Sequence, residues 1–267
     1  MPLAICATPI GNLQDVTLRV LEQLAAADIV LCEDTRRTRI LLDRHGIAAR
    51  LVSYHEHNEA KRTGEVLPRL AAGETIALVS DAGLPAVKDP GARLISAARD
   101  AGLPVTVLPG PSAVETALVA SGFDVERYQF FGYLPRGDRA LTRLWDELSS
   151  WIYVAVAFES PQRLPGTLAS LAEALPDRPV AVCRELTKAF EEVVRGPGRD
   201  IAARFATAPR GEITLVFGPA AQTAVPDRVG LEEVAELVAA GVPRKQAADV
   251  VARLTGVSRN ELYRGSL

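Results

Sequence analysis

The chain has 267 residues, 48% of them hydrophobic but only 5% aromatic, and a formal net charge of -3 at pH 7. This length allows two domains of roughly 110 to 130 residues with an appendage, and an Ala/Val/Leu-rich interior suits helices on sheets better than an aromatic β-sandwich. The slight acidity excludes bulk electrostatic capture of nucleic acid while leaving local basic patches open, and Cys6, Cys32 and Cys183 are too few and too scattered for a disulfide framework or a Cys-type zinc site.

In the first part of the chain, short β-branched runs alternate with helical periodicity. "LAICA" precedes "VTLRVLEQLAAA", "DIVLC" precedes "TRRTRILLDRHG", "RLVSY" precedes "EAKRTGEVLPRLAAG", "TIALV" precedes "ARLISAARDAG" and "VTVL" precedes "SAVETALVASG". This alternation predicts a largely parallel sheet covered by helices. Gly46, Gly73, Gly102 and Gly122 each close a helical stretch where a left-handed residue belongs. The cysteines lie in or beside apolar runs and read as small buried hydrophobes in a reducing cytoplasm. "MPLAICATPIGN" lacks the basic and long apolar regions of a signal peptide, and no run approaches the ~18 apolar residues of a membrane span. A cytoplasmic protein with no membrane association is expected.

After Gly122 the texture changes. "YQFFGYLPRGDRA" concentrates aromatics, and "WIYVAVAF", "PVAVCREL", "FEEVVRG" and "GEITLVFG" read as strands, with helices near 161–174 and 198–207. No helix separates the strands around 180–195, so part of this second sheet is expected to be antiparallel. From "PDRVG" onward, "LEEVAELVAAG", "PRKQAADVVARLTG" and "SRNELYRGSL" predict three short amphipathic helices of helix-turn-helix character. The expected division is an N-terminal α/β domain over 1–122, a second α+β domain over 123–222, and a helical appendage over 223–267.

Three strands of the first domain end in unusual sequence: "ATPIGNLQD" from Ala7, "VSDAGLPAVKDPG" from Val79 and "LPGPSAVET" from Leu108. Ligands of open α/β sheets bind outside the carboxyl ends of strands, so these loops are expected to converge on one pocket. Their glycines let backbone approach a ligand closely, and their prolines hold it there at low entropic cost. Ser112 sits at a helix start, where free N–H groups can hold a carboxylate. Asp89, before Pro90 and Gly91, reads as a helix cap, whereas Asp81 has no helix to cap. No G-x-G-x-x-G follows the first strand, no G-x-x-x-x-G-K-[ST] occurs, and His45, His55 and His57 lack H-E-x-x-H spacing. Nicotinamide, ATP and catalytic zinc lose ground accordingly, no metal is expected, and His55 and His57 read as exposed loop residues.

In order and nearly end to end, "TPIGNLQDVTLR", "EDTRRT", "SDAGLPAVKDPG", "LPGPSA", "FESPQR", "RELTKAFEE" and "GEITLVF" resemble the ribosomal RNA small subunit methyltransferase I family of the tetrapyrrole-methylase superfamily. The resemblance implies an α/β, two-domain tetrapyrrole-methylase-like fold, with a mostly parallel N-terminal sheet, a mixed-sheet second domain and a small C-terminal helical appendage. It implies a homodimer that binds S-adenosyl-L-methionine in the cleft between the domains and methylates a cytidine 2′-oxygen in the decoding region of 16S rRNA, on the small ribosomal subunit. Matched to the family's motifs, Pro9, Ile10 and Gly11 form the first cofactor loop, Asp81, Ala82, Gly83, Leu84 and Val87 the second, and Pro111, Ser112 and Ala113 the third. Phe158, Leu186 and Thr214 fall on strand ends that close over the adenosine. Two positions depart from the pattern: Leu84 stands where the family usually has Thr, so no side-chain hydroxyl contact exists there, and Gln162 stands where His is frequent.

A ribose hydroxyl is a poor nucleophile while protonated, so a carboxylate that orients it is sought near the cofactor edge. "CEDTRRTRILLDRHG" supplies Glu33 and Asp34, followed by Arg36, Arg37 and Arg39 as phosphate contacts, with Asp34 as helix N-cap the simpler alternative. Around "FFGYLPRGDRA", Arg136 with Arg139 and Arg143 beside aromatics forms a second surface able to stack an extruded base, although Phe130 and Phe131 also suit a strand core. The tail sets Arg244, Lys245, Arg253, Arg259 and Arg264 against Asp249 and Glu261. A methylase of a tetrapyrrole or protein side chain, and an assembly factor without turnover, stay open as alternatives.

Overall fold

A computed structural model describes residues 2–220 and 230–266. The apolar runs of the first half form β1 (Leu3–Cys6), β2 (Ile29–Cys32), β3 (Leu51–Ser53), β4 (Ile76–Val79) and β5 (Val105–Leu108), joined through α1 (Leu18–Ala26), α2 (Thr35–Arg44), α3 (Glu59–Ala71) and α4 (Ala92–Asp100), with α5 (Ala113–Ser121) following β5. The strands are parallel in the order β3-β2-β4-β1-β5. Every residue of β1, β2 and β4 is buried, as a sheet covered on both faces requires. Val20, Leu24, Leu41 and Leu42 of α1 and α2 cover one face, and Val66, Leu70, Leu94 and Ala98 of α3 and α4 the other. The neighbours β1 and β4 therefore send their connections to opposite faces, which opens a crevice at their carboxyl ends. Gly46, Gly73, Gly102 and Gly122 take the left-handed φ values of 65°, 92°, 68° and 64° that their positions predict.

The second sheet comprises β6 (Tyr128–Tyr133), β7 (Val154–Glu159), β8 (Pro179–Arg184), β9 (Glu192–Pro197) and β10 (Ile213–Phe217), in the order β6-β7-β10-β8-β9. β6 and β7 are parallel and the other pairs antiparallel, including β8 with β9, the pair expected from the missing helix. α6 (Asp138–Ser150), α7 (Leu164–Ala174) and α8 (Gly198–Arg204) cover one face, where Trp145, Leu148, Leu168, Leu171 and Ile201 pack on Ala155, Val182 and Leu215. The opposite face takes Val114, Ala117 and Leu118 of α5 against Val156, Ala181, Cys183 and Val216. α5 thus leaves one sheet and roofs the other, and its N-terminus falls where the two meet.

Contacts divide the chain after Gly218. The C-terminal unit holds α9 (Leu231–Ala239), α10 (Arg244–Thr255) and α11 (Arg259–Gly265) around a core of Val234, Ala247, Ala248, Val251 and Leu262. The expected boundary near residue 222 lies outside the described residues. Among the described residues no helix is long and apolar enough to cross a membrane.

Candidate active site

Backbone hydrogen bonds tie the first two loops together: Thr8 N donates to Gly83 O at 2.8 Å, and Gly83 N donates to Thr8 O at 3.0 Å. The Thr8 hydroxyl adds a buried bond to Ser80 O at 3.0 Å. The first loop also presses on the connection after β8, where Asn12 N donates to Thr187 Oγ1 at 3.0 Å. A Cβ on Gly11 would lie 2.9 Å from the backbone oxygen of Leu186, so only glycine permits this approach.

The loops and the second sheet enclose a cleft of about 920 Å³. The first loop contributes Ile10, the second Asp81, Ala82, Gly83, Leu84 and Val87, and the third Pro111, Ser112 and Ala113. Phe158, Leu186 and Thr214 line it from the second sheet. Pro9 and Gly11 line a smaller cavity of about 260 Å³ that shares Ile10, Arg37, Asp81 and Ala82 with the cleft. Cys183 also borders the cleft, but burial pushes its thiol up to about 12, so it contributes only apolar surface.

The two carboxylates of "CEDTRRT" separate. Asp34 is the N-cap of α2: its Oδ1 accepts from Arg36 N at 2.8 Å, and its carboxylate pairs with the Arg36 guanidinium at 2.8 Å. Arg36 holds Asp34 down at about 2, and Asp34 is not among the cleft residues. Glu33 faces the cleft, with its carboxyl raised by burial and then by the charge of Asp81. Asp81 itself is committed to structure, accepting from Asp34 N at 3.0 Å and lying 3.6 Å from Arg37 Nε.

Asp89 corrects the sequence-based expectation. The N-cap of α4 is Gly91, not Asp89, and Glu59 of α3 supplies the missing acceptor, its Oε1 taking Gly91 N at 3.2 Å and Arg93 N at 3.3 Å. Asp89 lines the cleft instead, its carboxyl raised to about 6 by burial and then by Glu33 and Asp81. The residue patterning gives no sign of this exchange, because the competing cap comes from another helix.

Further cleft residues lie outside the predicted set: Lys88, Tyr128, Phe130, Tyr133, Glu159 and Glu212. Pairing of β6 with β7 shifts register between Phe130 and Tyr133, and Gly132 sits there at φ 71°. A bulge re-aims its side chain, and Tyr133 stands 64% exposed with its ring edge-on to Phe158, 5.6 Å between centroids. Phe130 meets Phe158 likewise at 5.1 Å. Both phenylalanines are half-buried, whereas Tyr133 offers a free ring.

Of the predicted basic residues, Arg37 reaches the cleft, while Arg36, Arg39 and Arg136 are exposed outside it. His55 is half-buried rather than exposed and packs on Asn58, whereas His57 is exposed. Ser112 is the N-cap of α5 but makes no capping bond, since its hydroxyl donates to Glu115. Ser112 therefore leaves the N-terminus of α5 without an N-cap bond.

Residues 2–202 match the family described as Tetrapyrrole (Corrin/Porphyrin) Methylases, and residues 226–265 match the family described as RsmI C-terminal HTH domain. The ribosomal RNA small subunit methyltransferase I of Mesorhizobium japonicum is 46% identical over 98% of this chain and 90% of its own length. A protein of the same name from Thermotoga maritima is 44% identical over 80% of this chain and 97% of its own length. Among solved structures, uroporphyrin-III C-methyl transferase from Thermus thermophilus, complexed with S-adenyl homocysteine, is 17% identical with a TM-score of 0.55, covering 81% of this chain and 96% of that one. This last likeness concerns the fold.

Proposed function

The chain belongs to the ribosomal RNA small subunit methyltransferase I family of tetrapyrrole methylases, and from this premise we propose that it methylates the 2′-hydroxyl of a cytidine in the decoding region of 16S rRNA, using S-adenosyl-L-methionine. The observation that carries the proposal is the convergence of three strand-end loops and the second sheet on one cleft. Its chemistry fits the donor. Phe158, Leu186, Ile213 and Ala113 offer apolar surface to an adenosine, and Leu84 adds to it where a hydroxyl is absent. The uncapped N-terminus of α5 suits the donor's carboxylate. Glu33, Asp81 and Asp89 suit its positive charges.

When bound, S-adenosylmethionine supplies an electrophilic methyl carbon on a sulfonium. The chain's part is to hold the acceptor oxygen in line with that carbon, and orientation of this kind contributes about 7 to 11 kcal/mol in ideal cases. Glu33, at the junction of β2 and α2, is placed to orient the hydroxyl. Arg37 at the cleft and the exposed Arg36, Arg39 and Arg136 are placed to hold phosphates, which position the RNA without reading its sequence.

The test is to incubate the protein with methyl-labelled S-adenosylmethionine and small subunits from a strain lacking the modification. Label in the ribose of one cytidine is expected. Label on a base or protein, or no label at all, overturns the proposal.

A further inference from the structure

We propose that Tyr133 and Lys88 form the subsite for the acceptor nucleotide, the tyrosine ring stacking on the base drawn out of the RNA and the lysine ammonium holding a phosphate beside it, an inference that rests on the methyl-transfer function above. The cleft of about 920 Å³ lies near the top of the range of about 300 to 1,000 Å³ that suits one small ligand, so it has room for a second group beside the donor. A ribose that enters this cleft takes its base out of the RNA stack. RNA-binding proteins hold such a base on an aromatic face and hold the backbone beside it through cations.

Four aromatic side chains line the cleft, Tyr128, Phe130, Tyr133 and Phe158. Phe130 and Phe158 are half-buried and packed edge-on to one another, and the Tyr128 hydroxyl donates to Glu115 at 3.0 Å. Tyr133 differs from all three: it is 64% exposed, and its hydroxyl makes no hydrogen bond among the described residues. Phe158 braces it edge-on, which fixes the plane of the ring and leaves a face open for stacking. The register shift in β6 and the left-handed Gly132 turn the side chain to this position. Burial, and then Glu212, Asp89, Glu159 and Glu33, raise the Tyr133 hydroxyl above its ordinary value, so the residue offers a neutral ring and not a phenolate.

The same bulge fixes the cation. Six carboxylates line the cleft, Glu33, Asp81, Asp89, Glu115, Glu159 and Glu212, against two cations, Arg37 and Lys88. A cleft with that balance repels a phosphate unless a cation is kept free for it. Arg37 lies 3.6 Å from Asp81, whereas Lys88 is exposed and has no hydrogen bond or ion pair among the described residues. Lys88 takes φ 66° and Ala86 takes 70°, conformations that persist in non-glycine residues only where surrounding structure enforces them. The Lys88 side chain crosses from the connection between β4 and α4 to the second sheet and lies over Gly132, in space that a Cβ there would fill. Its ammonium is thereby held at the residue next to Tyr133, so ring and charge stand side by side on one wall. Neither is required by the donor, whose adenosine and carboxylate fall to Phe158, Leu186, Ile213, Ala113 and the N-terminus of α5.

The experiment compares wild type, Y133L, Y133F, K88A and K88R. Equilibrium binding of small subunits is measured by filter retention over a range of salt, with S-adenosylhomocysteine present so that no transfer occurs, and S-adenosylmethionine affinity is measured separately by calorimetry. Y133L, which keeps apolar packing on Phe158 without a planar ring, is expected to weaken subunit binding about fivefold or more, as loss of one stacked base does, while Y133F stays within about twofold of wild type. K88A should make the fall of log affinity with log salt shallower by about 0.7 to 0.9, the share of one phosphate contact, and K88R should restore it. Donor affinity is expected to stay within about threefold in all four variants. Wild-type subunit binding and salt slope in Y133L and K88A overturn the inference while the methylase function stands, as does equal weakening in Y133L and Y133F. A larger loss of donor affinity in either Y133L or K88A also overturns it, because that side chain then belongs to the donor's site. A wild type that places no label in ribose overturns the function and this inference together.

Discussion

Asp34 and Asp89 both precede or open helices, yet their carboxylates have opposite fates. Asp34 is held ionised by Arg36 and spent on capping α2, so Asp34→Asn, which keeps an acceptor for Arg36 N, is expected to retain turnover within about threefold. Single-turnover rates check this, and a loss of 100-fold would return Asp34 to the chemistry. For Asp89 the sign of the pH dependence follows from linkage. Its folded midpoint lies above its ordinary one, so between about pH 4 and 6 the native state binds more protons than the unfolded chain, and the native advantage is lost as pH rises through that window. D89N removes the charge, and its melting temperature should exceed that of wild type at pH 8 and converge with it near pH 4. Thermal unfolding at both pH values decides it, and an unchanged difference between them would show that Asp89 ionises freely. The sequence displays Asp34 and Asp89 as equivalent caps, because capping is legible from the residues that follow. What separates them, Arg36 on one and Glu59 near the other, becomes visible only when helices are placed in space.

At the scale of elements, the alternation of β-branched runs and amphipathic stretches is legible because each run buries its own residues against the next helix. The partnership of α3 with α4 is not, since Glu59 reaches across 32 positions to satisfy Gly91 N. E59A should destabilise the protein by about 1 kcal/mol, the usual cost of losing a cap, and denaturant midpoints measure it. The bulge in β6 is likewise hidden, although "FFGY" marks it by placing glycine inside an aromatic strand. A Cβ on Gly132 would collide with the Lys88 side chain, and the left-handed φ adds strain. G132A is therefore expected to cost about 1 to 3 kcal/mol and to displace Lys88 from the second sheet. Comparing unfolding midpoints of G132A and of G132A with Lys88→Ala separates the two contributions, because relief by the second change would trace the loss to the collision rather than to φ.

At the scale of the molecule, each contact unit has its own apolar core, one pair of sheets before Gly218 and one helical cluster after it. The convergence of strand-end loops follows from topology and so from the sequence, since parallel strands must all present their carboxyl ends at one edge. The C-terminal unit has no such constraint on its role. Its exposed Lys245, Arg259 and Arg264 lie outside any ion pair among the described residues, while Arg253 pairs with Asp249 at 3.8 Å. The Thermotoga maritima relative, matched over 97% of its length by 80% of this chain, bears on which task belongs to which unit. All residues lining the cleft precede Gly218, so a chain ending there should fold and bind S-adenosylmethionine within about threefold of the full-length affinity. If the exposed cations contact phosphate, the truncated chain should need more small subunit for half-maximal methylation, and the shortfall should shrink as salt rises, because counterion release then rewards the full-length chain less. Titrating subunits at two salt concentrations measures both effects, and equal affinity of the two chains at low salt would confine the appendage to packing among its own helices.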